Sequence, residues 1–98
     1  MGHSHCGAIS ATLDHLTNAD GEPAEVVSLL HQIEPAIIGI SQDLPRDQQI
    51  DQAVKNNVEL AVRRLSRVPD LRRSINTGNV KIAGAVYDMH SGKVDILE

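Results

Sequence analysis

The sequence predicts an α/β fold in which three or four helices are followed by a terminal β-hairpin. Three observations carry this. Apolar residues recur every three to four positions from Ala8 to Leu65, the period of helices that each bury one face. The period changes at Val80: from there to Tyr87 the chain is nearly continuously apolar apart from Lys81, which fits a strand buried on both faces. Asp88-Met89-His90-Ser91-Gly92 is turn chemistry, and Lys93 to Leu97 alternates as an edge strand should. An isolated hairpin is marginal in water. The pattern therefore expects sheet neighbours for this strand.

Taken in order, Cys6 to Leu16 reads as a short helix with Ala8, Ile9, Leu13 and Leu16 apolar, stopped by the turn residues Thr17 to Gly21. Pro23 suits a first helical position. Val26, Leu30, Ile33 and Ile37 form one face of a second helix, whose last turn Pro35 should kink or tighten. Ser41 to Asp43 is a connector, and Pro45 opens the longest helix. Its apolar stripe is Ile50, Val54, Val58, Ala61, Val62 and Leu65. Asp51–Lys55 and Glu59–Arg63 on the other side are acid-first i,i+4 pairs, worth about 0.3 kcal/mol each. Pro69 starts a further short helix that Gly78 ends as a left-handed cap.

With 98 residues the chain is one small domain at most. Apolar residues make up 41%, but Tyr87 is the sole aromatic, so the core must rest on Ile, Val, Leu and Ala with a thin stability margin. A net charge of −4 argues against nucleic acid, which calls for a basic patch. Arg63, Arg64, Arg67, Arg72 and Arg73 cluster, and read as a solvated helix face. The single cysteine excludes an internal disulfide and suits a reducing compartment. No apolar run approaches the roughly 18 residues of a membrane span, and no charged-then-apolar leader opens the chain. Gly2 suggests myristoylation, but Cys6 stands where Ser or Thr is required. A cytoplasmic location is expected, with no membrane partner.

His3 and Cys6 are the candidate metal ligands. A thiolate and an imidazole separated by two residues in His3-Ser4-His5-Cys6 can be aimed at one ion, and that donor pair suits Zn²⁺. Structural zinc takes four protein ligands and catalytic zinc usually three plus water, so the pair is half a site. His5 falls between the ligands; His15, His31 and His90 read as surface residues.

Gly2-His3-Ser4-His5-Cys6-Gly7 resembles the second zinc-ligand motif of the β-class carbonic anhydrases, Gly-His-Ser-x-Cys-Gly. The tail from Asn56 to Glu98 is also similar to that family's C-terminal part, through Asn57-Val58, Gly78-x-Val80-x-Ile82-x-Gly84-Ala85-x-Tyr87-Asp88 and Ser91-Gly92-Lys93-Val94. The resemblance covers this whole chain but only the C-terminal half of the family's domain. The family's upstream Cys-x-Asp-x-Arg segment, which brings another zinc thiolate and an Asp-Arg pair, has no match here.

The resemblance implies a partial domain over 1–98, with helices packed on a mostly parallel sheet whose other strands come from a missing N-terminal half. The strand entering the His3–Cys6 turn would belong to that half, with this chain beginning just past its end. It further implies zinc held in part by His3 and Cys6, reversible hydration of carbon dioxide to bicarbonate, and homo-oligomers. Zinc lowers the pKa of its bound water to about 7 in a three-histidine carbonic anhydrase; that value belongs to a site with other ligands. No catalytic residue beyond the ligands is identified. The alternative is a non-catalytic remnant serving as an oligomerisation or interaction module; relatives acting on carbon–sulfur analogues of carbon dioxide are a third possibility.

Overall fold

A computed structural model describes residues 1–17 and 24–97. In chain order the elements are β1 (Gly2–His3), α1 (Gly7–Thr17), α2 (Ala24–Ile37), α3 (Arg46–Ser66), α4 (Pro69–Asn76), β2 (Gly84–Tyr87) and β3 (Val94–Leu97). The turn after Thr17, the helix start at Pro23 and the side chain of Leu16 lie outside the described residues. The three strands form one sheet in the order β1-β2-β3. β1 runs parallel to β2, with Gly2 opposite Val86 and His3 opposite Tyr87. β2 and β3 form the expected antiparallel hairpin, with Gly84 opposite Leu97 and Tyr87 opposite Val94. This corrects the expectation that the strand entering the turn ends before the chain begins: Gly2 and His3 form it as β1.

α3 packs across one face of this sheet at close range. A Cβ on Gly84 would stand 2.5 Å from Val58 Cγ1, and one on Gly2 would stand 2.7 Å from Val58 Cγ2. Val58 can therefore lie almost on the backbone of β1 and β2 only because both positions lack a side chain. The core joins Ile9 and Leu13 of α1, Ile33 and Ile37 of α2, and Ala53 and Val54 of α3, with Val86 of the sheet packed against it. It is aliphatic, as the composition requires. Thr12 is fully buried among these helices, its hydroxyl donating to the Ala8 carbonyl at 2.7 Å. Asn56 donates its amide to the Ala36 carbonyl at 2.9 Å, satisfying an acceptor in the last turn of α2.

The helix faces follow the sequence pattern with local departures. Leu30, Ile33 and Ile37 are buried on α2, and Val26 is half-buried. On α3 the stripe is centred on Ala53, Val54 and Val58, while Ala61 is exposed and Leu65 is 48% exposed. The stripe loses its cover toward the C-terminal end because nothing packs beyond Val62 as tightly as the sheet does on Val58. Pro35 lies inside α2, two residues before its end. Pro45 is the N-cap of α3. The five arginines are exposed, as a solvated face should be. Among the described residues neither Asp51–Lys55 nor Glu59–Arg63 closes to an ion pair, because long exposed side chains gain little from being fixed.

Gly78 ends α4 as expected, at φ +80°. Its amide donates to Ile75 O at 3.1 Å, and the Asn79 amide to Ser74 O at 3.0 Å, a Schellman arrangement. The Val80 amide is also committed to Ser74 O, at 3.2 Å. This corrects the expected strand from Val80: the chain is still leaving the helix there, and the ladder begins at Gly84. β2 is not buried on both faces either. Gly84 and Val86 face α3, whereas Ala85 and Tyr87 share the opposite face with Val94 and Ile96. On that side Tyr87, Val94 and Ile96 are 38%, 51% and 56% exposed.

Candidate metal centre

His3 closes β1 and Cys6 precedes the first residue of α1, so the two candidate ligands flank a strand-to-helix turn. The Ser10 amide donates to Cys6 O at 3.0 Å, the first helical hydrogen bond. Between them His5 takes a left-handed backbone, φ +53°, a conformation uncommon outside glycine and less so for histidine. The sharp reversal carries the chain from the sheet edge back to the helix within three residues.

The turn is braced by Ser4. Its amide donates to the Tyr87 carbonyl at 2.8 Å, extending the β1–β2 ladder by one bond. Its hydroxyl accepts from the Met89 amide at 2.9 Å. His3 Nδ1 lies 3.0 Å from the Ser4 carbonyl. A carbonyl can only accept, so Nδ1 carries the proton and donates, leaving the Nε2 lone pair for a ligand. Metal-bound histidines are commonly oriented by such a bond.

His3 and Cys6 line one cleft of about 200 Å³ with Met1, Ile9, Val54 and Asn57. Cys6 is a free, half-buried thiol packed against the helical core. The donor types fit zinc, and the structure brings both to the same wall. They fill two positions: among the described residues no group of three or more His, Cys, Asp or Glu could hold a metal ion.

A second cleft of about 280 Å³ is lined by Ser4, His5, Asp47, Ile50, Asp51, Asp88 and His90. His5 Nε2 and His90 Nε2 are 3.2 Å apart. Asp88 organises the hairpin turn: its carboxylate accepts from the His90 amide at 2.9 Å and from the Ser91 amide at 3.4 Å. The His90 amide bond holds the Asp88 carboxyl below its ordinary pKa, opposed by desolvation and assisted by hydrogen bonds from Ser91. His90 was expected to be a plain surface residue and His5 a variable one; their meeting was missed. The available signal was topological. Residues after the C-terminal ends of adjacent parallel strands share one edge of the sheet, and His5 and His90 occupy those places after β1 and β2.

The helices and small mixed sheet of this chain share their fold with a solved β-carbonic anhydrase, CcaA, which superposes on it. Its TM-score is 0.86 at 24% identity, over 99% of this chain and 48% of that one. The carbonic anhydrase family model matches residues 1–94. A carbonic anhydrase of Pseudomonas aeruginosa is 31% identical over 99% of this chain. The chain belongs to the carbonic anhydrase family. It spans about half the length of these relatives, 44% of the Pseudomonas protein. No helix among the described residues is long and apolar enough to cross a membrane.

Proposed function

We propose that His3 and Cys6 are two ligands of a catalytic zinc ion, and that this chain is the C-terminal portion of a domain that reversibly hydrates carbon dioxide. The observation that carries the proposal is the cleft that His3 and Cys6 both line, with the Nδ1–H bond of His3 to Ser4 O leaving its Nε2 free for a ligand. Bound there, zinc would supply Lewis-acid activation of water for attack on carbon dioxide. The chain's own residues prepare the site. Ser4 fixes the turn that spaces the ligands, Ile9 and Val54 offer an apolar wall suited to a small nonpolar substrate, and Asn57 places an amide on the same wall. The remaining ligands come from a segment outside this chain. The exposed sheet face formed by Tyr87, Val94 and Ile96 supports this, since an added half would cover it. The assembled protein is read as a cytoplasmic homo-oligomer.

The test is complementation. The portion of the Pseudomonas relative that this chain does not match, produced separately, should bind the chain and raise its zinc affinity sharply, because ligands and sheet come together in one step. Cys6→Ser should remove most of that gain in isothermal titration. A mixture that binds zinc no better than its separate parts overturns the reading. The absence of a third donor among the described residues favours a second one, a non-catalytic interaction module. Tight association of the two portions without any gain in zinc affinity would establish that instead.

A further inference from the structure

We propose that His5 and His90 form a second, independent binding site for an imidazole-seeking divalent cation, in a cleft distinct from the one that Cys6 and His3 line. The two Nε2 atoms are 3.2 Å apart, with ring centroids at 5.0 Å and planes at 84°. Two imidazole nitrogens held at about 2.0–2.1 Å from one ion stand roughly 2.9 Å apart at a right angle and roughly 3.4 Å apart at the tetrahedral angle. The observed separation falls between these limits, so one ion can take both nitrogens with little movement of either ring.

Both rings stand on braced backbone. His5 is set by the Ser4 bonds to Tyr87 and Met89, and His90 by its amide bond to the Asp88 carboxylate. Without an ion, one Nε2–H donates to the other Nε2. Binding moves the shared proton of the donating ring to its Nδ1 through solvent, freeing a second lone pair. Asp47, Asp51 and Asp88 line the same cleft and supply negative charge, although no trio of donors converges. The remaining coordination positions therefore go to water. Two neutral nitrogens with water select the later first-row ions, Cu²⁺ above Ni²⁺ and Zn²⁺. Magnesium and calcium, which prefer oxygen ligands, gain little from an imidazole pair.

The proposal does not depend on the zinc reading, and its test removes that pair. In a chain carrying His3→Ala and Cys6→Ser, Ni²⁺ is titrated calorimetrically, with far-UV circular dichroism to confirm that each variant is folded. Adding His90→Ala should weaken Ni²⁺ at least tenfold. Adding His5→Asn, which keeps a residue tolerant of the left-handed backbone, should weaken it to a similar extent. His31→Ala should leave binding unchanged. The site is refuted if either the His90 or the His5 variant binds Ni²⁺ like its parent, or if the His31 variant is weakened as much.

Discussion

The hydroxyl of Ser4 accepts a hydrogen bond from the backbone amide of Met89 at 2.9 Å, joining positions 85 residues apart. The same serine reaches Tyr87 through its own amide. The candidate ligands are therefore held by the far end of the sequence. Ser4→Ala removes the hydroxyl bond while keeping the ladder bond, and should cost about 0.5–1.5 kcal/mol of stability. Urea unfolding of the parent and the variant measures it. Zinc affinity in the complemented protein should fall as well, since the turn loses its second anchor.

The approach of Val58 to the sheet yields a reciprocal pair of variants. Gly84→Ala alone would press a methyl group to within 2.5 Å of Val58 Cγ1 and should destabilise by about 1–3 kcal/mol, as overpacked cores do. Val58→Ala alone leaves a void and also destabilises. Combined, the added methyl enters the space that the valine vacates, so the double variant should lose clearly less than the sum. Thermal unfolding of all four proteins gives the coupling; strict additivity would show that the two residues do not touch.

Asp88 carries an acid-dependent prediction. Its folded pKa is lowered, chiefly by the His90 amide, so the turn is stabilised by the ionised form. That contribution is complete above the ordinary aspartate value of about 3.9. It is lost as pH falls through the lower folded value. The carboxyl resonance of Asp88 should titrate below that of an aspartate in a random peptide. The His90 and Ser91 amide shifts should move with it, and Asp88→Asn should abolish their acid-dependent movement.

Exposed apolar side chains on the outer sheet face predict association of the chain when it is alone. Tyr87, Val94 and Ile96 share that face, and β3 is a sheet edge open to further pairing. Sedimentation equilibrium at micromolar concentration should show species heavier than one chain, and Ile96→Lys with Val94→Lys should shift the population toward monomer. A parent chain that remains a monomer would contradict this.

Much of the architecture was legible because helical periodicity survives without partners. Leu30, Ile33 and Ile37 mark the buried face of α2, and Gly78 marks the end of α4 through its turn chemistry. The beginning of β2 was not legible. Val80 and Ile82 are strand-forming residues, but the Schellman cap takes the Val80 amide first, a competition that composition does not display. The burial of β2 was overestimated for a related reason. Its apolar run suits a sheet covered on both sides, and this chain supplies α3 on one side only. The His3–Cys6 cleft was readable from spacing and resemblance. The His5–His90 contact depends on strand order, a long-range property that neither spacing nor local propensity encodes.

The pairing of β1 with β2 also orders events during synthesis. Ser4 must wait for Met89, 85 residues later, which at about 5–20 residues per second is roughly 4–17 s of translation. Until then α1, α2 and α3 can collapse on their aliphatic core while the His3–Cys6 turn lacks its anchors on Tyr87 and Met89. The corner that carries the two candidate ligands is then among the last parts of this segment to take shape, and a ribosome paused before the hairpin would leave that turn without its brace.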